Sequence, residues 1–126
     1  MNKEIFIKQS VVDSILSYAQ MFHPKESILL LTGKTGRKKM EINDLQIPPL
    51  ATHGHSFSGF PLSRLPIDFS VIGVAHSHPS GVLRPSTTDL NHFYGKIMMI
   101  TGYPYQSKKN IVLLDRKGNK LEYSIF

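Results

Sequence analysis

A chain of 126 residues, 40% hydrophobic and 19% charged, has the balance of one globular domain spanning 1–126, because dividing it would leave two cores near the size at which folding becomes marginal. The absence of cysteine excludes disulfides, thiolate-bound metals and cysteine nucleophiles, so any metal must sit on His, Asp or Glu. The net charge of +6 lies in short basic groups (Lys34 with Arg37 to Lys39, Lys108 with Lys109, Arg116 and Lys117 with Lys120), each beside a turn signal, a pattern that favours solvated loop charge over a surface for an acidic protein partner or nucleic acid.

Met1 to Phe6 include Glu4 and lead straight into a strand-like pattern instead of a long apolar leader. No apolar run reaches the roughly 18 residues needed to span a bilayer, and a cytoplasmic protein is expected. Ile5 and Ile7 mark a first strand. Ser10 can cap a helix whose Val11, Val12, Ile15, Leu16, Ala19 and Phe22 recur at helical spacing, and Pro24 ends it. Ser27 to Thr32 reads as a buried strand and Gly33 to Gly36 as a turn. Met40 to Pro48 is the returning strand, with a slip of period near Asn43 and Asp44 that marks a bulge. From Pro48 to Pro66 the chain is rich in Pro, Gly, Ser and His, the composition of an irregular binding loop. Phe69 to Ala75 is a second buried strand, Ser86 to Tyr94 a helix, and Lys96 to Thr101 and Asn110 to Leu114 further strands. Asp115 to Asn119 is a hairpin turn, after which Leu121 to Phe126 closes the chain as a last strand.

The chemistry gathers in His76-Ser77-His78-Pro79 and, eleven residues beyond His78, Asp89. Alternation along a strand points His76 and His78 to one side and Ser77 to the other. Pro79 and Gly81 then turn the chain, so that Asp89 in the first turn of the next helix can swing back, making a plausible three-ligand zinc site with a fourth position left for water. Ser86-x-x-Asp89 is equally a capping box, but a cap leaves unexplained a His-x-His pair at the end of an apolar strand, where an unpaired imidazole is expensive. The second pair, His53 and His55, has no adjoining strand to fix its rings, and loop polarity is its simpler role. His23 and His92 read as helix-surface residues without chemistry. Glu26 lies at the mouth of a buried strand, where a parallel neighbour would place it beside His76. It is either the proton acceptor that a metal-activated water needs or an ordinary acid of a helix-to-strand loop.

A glutamate on an early strand, then His-Ser-His-Pro, then Ser-x-x-Asp, resembles the JAMM metallopeptidases of the MPN domain superfamily, and is most similar to their small archaeal single-domain members. His23-Pro24-x-Glu26, Leu65-Pro66-Ile67, Gly73 and Tyr103-Pro104-Tyr105 fall where that family has similar segments. The resemblance implies an α/β fold: a single MPN (JAB/JAMM, cytidine deaminase-like) domain with a curved mixed β-sheet flanked by helices. It implies that His76, His78 and Asp89 bind Zn²⁺, that Glu26 is the general acid and base, and that Ser86 stabilises the oxyanion. It implies cleavage after the C-terminal Gly-Gly of ubiquitin or a ubiquitin-like modifier. Leu50 to Ser63, with Leu50, Gly54, Phe57, Gly59 and Phe60, is then the candidate for holding that tail, and Ser77 is grouped with these as a substrate contact. Ubiquitin-like conjugates are the expected partners of a monomer or homodimer, delivery to a proteasome is left open, and neither membrane nor nucleic acid is expected. Two rival tasks use the same fold. One is trimming of sulfur-carrier protein precursors. The other is a DNA-repair-associated JAB role, although those domains usually carry Asn where this chain has Ser77.

Overall fold

The computed structural model describes residues 3–48, 70–91 and 93–126. One eight-stranded mixed sheet runs in the order β7-β6-β5-β4-β2-β3-β1-β8, formed by β1 (Glu4–Ile7), β2 (Ile28–Thr35), β3 (Lys39–Gln46), β4 (Val71–His78), β5 (Ile97–Gly102), β6 (Ile111–Leu114), β7 (Lys120–Leu121) and β8 (Ser124–Ile125). Its helices are α1 (Gln9–Phe22) and α2 (Thr87–Asn91). Among the described residues no helix is long and apolar enough to cross a membrane.

The last strand predicted over Leu121 to Phe126 is instead two strands. β7 pairs with β6 at one edge of the sheet and β8 pairs with β1 at the other. Only Glu122 and Tyr123 join them, a span of about 10 Å at full extension, so the sheet must curl until its edges approach. Inside the curl lies α1. Its Val11, Val12, Ile15, Leu16 and Ala19 are all buried against Ile5, Ile7, Leu29, Leu31, Met40 and Ile42 of the sheet, at about 1.5–3 kcal/mol for each large side chain removed from water.

Ser10 does not cap this helix. The helix starts one residue earlier, and its entry is secured by backbone partners: Lys8 N–H donates to Ile42 O at 3.0 Å and Gln9 N–H to Phe126 O at 2.8 Å. Orphan donors satisfied by carbonyls of β3 and of the C-terminal residue need no side-chain cap. Gly33 is likewise not a turn residue. β2 continues to Thr35, with Thr32 opposite Asp44 and Gly33 opposite Ile42, so Asn43 is the extra residue of the bulge expected there. A Cβ on Gly33 would lie 1.8 Å from Glu41 O, and close backbone approach is what glycine inside a strand signals. The basic groups occupy separate turns, around Gly36 to Lys38, at the 3-10 turn Lys108–Asn110 and at Asp115 to Asn119.

The opposite face of the sheet buries Ile28, Leu30, Val74, Met98, Ile100, Val112 and Leu114 under Leu83, Phe93 and Tyr94. These last three belong to the crossover that the parallel pair β4 and β5 requires, and it runs over this face. Phe93 and Tyr94 turn onto the apolar face, so α2 is shorter than the helix predicted over Ser86 to Tyr94. The crossover thereby brings Asp89 to the end of β4 that bears both histidines and returns beside Ile72, where Lys96 N–H donates to Ile72 O at 2.7 Å.

Candidate metal centre

β4 is flanked on both sides, by β2 and β5, and does not end at Ala75 as the sequence suggests. It runs on through His78, with His76 opposite Ile28 and Ile100, and His78 opposite Gly102. Both imidazoles therefore project from hydrogen-bonded strand rather than from a loop. Alternation sends them to the face shared with Val74 and sends Ser77 to the α1 face, where it is 1% exposed. The Ser77 hydroxyl accepts Ser27 N–H at 2.9 Å and the Ser27 hydroxyl at 3.1 Å. A side chain so enclosed offers little surface to a substrate, and the structure gives no support to the grouping of Ser77 with the substrate contacts. It ties β2 to β4 beneath the site instead.

Glu26 reaches the site by a different pairing from the one expected. β2 and β4 are antiparallel, not parallel. Ile28 lies opposite His76, and Ser77 N–H donates to Ser27 O at 3.1 Å. Two residues further, the same register brings Glu26 level with His78, not His76. Alternation puts Glu26 on the face of Ile28, the histidine face, where it is half-buried and its charge acts on the His78 ring.

Asp89 arrives on α2, and the capping box is present in full. Ser86 N–H donates to Asp89 Oδ2 at 2.8 Å and Asp89 N–H to Ser86 Oγ at 3.0 Å. The two readings of Ser86-x-x-Asp89 are thus one arrangement, since the same carboxylate also faces both rings: Oδ2 lies 3.2 Å from His78 Nε2 and Oδ1 3.8 Å from His76 Nε2. The latter distance exceeds hydrogen-bond range. One ligand atom from each of His76, His78 and Asp89 falls within 4.8 Å of the others. Two imidazole nitrogens and a carboxylate oxygen are a zinc donor set, and small side-chain movements would close this spread to the separation of about 3.3–3.4 Å between ligands of a tetrahedral ion with bonds of roughly 2.0–2.1 Å. The residues fit the metal. His78 is oriented from behind, its Nδ1 lying 2.8 Å from Val82 O. A carbonyl can only accept, so Nδ1 carries the hydrogen and Nε2 is turned to the cluster, the usual support of a metal-binding imidazole.

The electrostatics match this arrangement. Burial pushes His76 down to about 4, against the opposing pull of Asp89, leaving a neutral ring ready to ligate at pH 7. Burial also disfavours charge on His78, but the hydrogen bond to Asp89, the Val82 carbonyl and the charges of Asp89 and Glu26 outweigh it and raise its pKa. Burial raises Asp89, yet the bond from His78, the charge of His76 and the Ser86 N–H hold it down to about 2. The raised pKa of His78 makes a proton the competitor of metal at this ring. Metal must displace it, so zinc affinity should fall about tenfold per pH unit below the raised pKa of His78 and level off above it. Chelator-competition titrations across pH 5.5 to 8 check this, a flat profile being the contrary result.

Leu50, Gly54, Phe57, Gly59 and Phe60, and the second pair His53 and His55, lie outside the described residues. Sequence reasoning missed the Val82 carbonyl, which has no residue-type signal, and Ser27, whose small polar side chain in an apolar run was the available clue. His23 is not a bare surface residue either, for its Nδ1 lies 2.8 Å from the Tyr105 hydroxyl.

Residues 8–115 match the family of prokaryotic homologues of the JAB domain. A probable metalloprotease of Haloferax volcanii is 36% identical over 107 residues, which cover 79% of this chain and 66% of that protein, so the match spans just under two thirds of the relative's length. Among solved structures, a JAB1/MPN domain protein from Archaeoglobus fulgidus superposes with a TM-score of 0.69 at 30% identity, over 94% of this chain and 96% of that one. A structure described as a JAMM metalloprotease-like zinc site in the proteasome and signalosome superposes with a TM-score of 0.70 at 29% identity, over 98% and 99% of the two chains. With its curled mixed sheet and its convergent His76, His78 and Asp89, the chain has the JAB/MPN-like fold and belongs to the JAMM-type, metalloprotease-like family of prokaryotic JAB-domain homologues.

Proposed function

We propose that the protein is a zinc-dependent peptidase that cleaves after the C-terminal Gly-Gly of ubiquitin-like modifiers, from lysine side chains or from linear precursors. The observation that supports it most is the convergence of His76, His78 and Asp89 on one face, with Glu26 level with His78. Zinc held by those three residues would supply Lewis-acid chemistry, polarising an acyl oxygen and acidifying a water. Glu26 takes the proton of the attacking water and delivers it to the departing amine. The Ser86 hydroxyl is exposed and already accepts Asp89 N–H, so its own hydrogen is available to the developing oxyanion. No side chain of the site forms a covalent intermediate with the substrate.

The modifier specificity is supported by the sequence resemblance and by the chemistry of the tail. Two glycines lie extended and pass close to a recessed centre without side-chain clash. The test is incubation of the zinc-loaded protein with the source organism's own ubiquitin-like proteins, as lysine conjugates and as linear fusions. Release of a product ending in a free Gly-Gly carboxylate supports the reading. Cleavage of fusions alone indicates precursor processing, and cleavage of neither overturns the modifier specificity. Ser86→Ala should lower kcat about 10²-fold in the same assay if the hydroxyl is an oxyanion donor; a loss confined to about 1 kcal/mol of stability in a denaturation titration would make it only a cap.

A further inference from the structure

The loop that bears Glu26 is held at a second point that the proposed mechanism does not use. His23 is exposed at the C-terminal end of α1, yet its ring is fixed on two sides. Nδ1 lies 2.8 Å from the Tyr105 hydroxyl, and the ring stacks on Tyr103 with centroids 4.6 Å apart and planes at 26°. Tyr105 is 1% exposed and anchored at three points. Its N–H donates to Gly102 O at 2.9 Å, its carbonyl accepts Gln20 Nε2 at 2.6 Å, and its hydroxyl meets His23. It is also a bulky residue with φ of +57°, a backbone conformation that persists only where the surroundings impose it. Tyr103 N–H donates to His78 O at 3.2 Å. The segment directly after β5 therefore grips the metal-binding strand with one tyrosine and the glutamate loop with the other.

We propose that Tyr105 and His23 form a positioning clamp that fixes Glu26 relative to the histidine face. Two residues, Pro24 and Lys25, separate His23 from Glu26, and the strand register takes over only at Ser27. In this stretch Lys25 N–H donates to Phe22 O at 2.8 Å, a backbone bond that ties the loop to α1. The clamp ties it to the segment directly after β5, the neighbour of the metal-binding strand. A general base is effective only within hydrogen-bond reach of its proton, and a displacement of about 1 Å can cost up to 10²-fold in rate. Tyr105 and His23 act through Glu26 and are positioning residues, and the inference rests on the assignment of Glu26 as the base.

The test uses the zinc-loaded full chain with Tyr105→Phe, His23→Ala and His23→Asn, the last keeping a polar group near the place of ring Nδ1. Tyr105→Phe and His23→Ala should keep one zinc per chain, lose about 10-fold in kcat with KM within about twofold, shift the acid limb of the kcat/KM pH profile, and accelerate amide exchange at Lys25 and Glu26. His23→Asn should restore most of each. Wild-type kcat, pH profile and exchange in His23→Ala, or a lowered melting temperature with those three unmoved, overturns the proposal. Should Tyr105→Phe not fold, the exposed His23 position decides alone. Exchange is read without substrate. A wild-type protein that cleaves no modifier conjugate would therefore defeat the substrate reading while exchange still decides the clamp.

Discussion

Asp89→Asn should strip the protein of zinc while leaving its fold in place. Asparagine keeps an oxygen to accept the Ser86 N–H, so the capping box that starts α2 survives, but the anionic ligand facing both His76 and His78 is gone. Loss of a partner that merely orients a ligand costs 10- to 100-fold in metal affinity, and losing the ligand itself should cost at least about 10²-fold. Zinc bound per chain and the rise in melting temperature on adding zinc check this together, because ligand bound only to the folded state stabilises it by mass action. The wild type should show both and Asp89→Asn neither. Undiminished zinc in the variant would mean that the cluster holds no ion.

Glu26→Gln is expected to separate chemistry from binding. The amide has the shape of the carboxylate but accepts no proton at neutral pH, so zinc content and melting temperature should match the wild type while kcat falls by about 10²–10⁴-fold, the range attributed to a positioned acid or base. Single-turnover cleavage measures it without interference from product release. A variant that turns over at the wild-type rate would remove Glu26 from the mechanism and return it to the reading of an ordinary loop acid. The pair of variants is informative together, since Asp89→Asn loses metal and activity, whereas Glu26→Gln loses activity alone.

How much of this was legible in the sequence depends on how local each signal is. His76 and His78 could be placed on one face because strand alternation is a property of adjacent residues, and Ser86-x-x-Asp89 because a capping box closes within four. The bulge at Asn43 showed itself as a slip of period in the same way. Strand direction is not local. Glu26 was assigned to the site through a parallel β2–β4 pair, and although the strands are antiparallel the residue still reaches the histidine face, because alternation parity is the same in either direction; the histidine it meets is His78 instead of His76. The split of the last strand between opposite edges follows from the curl of the whole sheet, which no short window contains. The start of α1 was misplaced because its first donors are met by the backbones of β3 and the C-terminal residue, partners that sequence pattern cannot identify. Tyr103 and Tyr105 carried a family likeness without a role until their contacts with His78 and His23 were visible.

Everything proposed for this site depends on His76, His78 and Asp89 holding one zinc ion. Crystals of the zinc-loaded protein measured on both sides of the zinc absorption edge test it most directly. One anomalous peak per chain is expected, roughly 2.0–2.2 Å from His76 Nε2, His78 Nε2 and an Asp89 carboxylate oxygen. A peak on other residues, or none at this cluster, would contradict it.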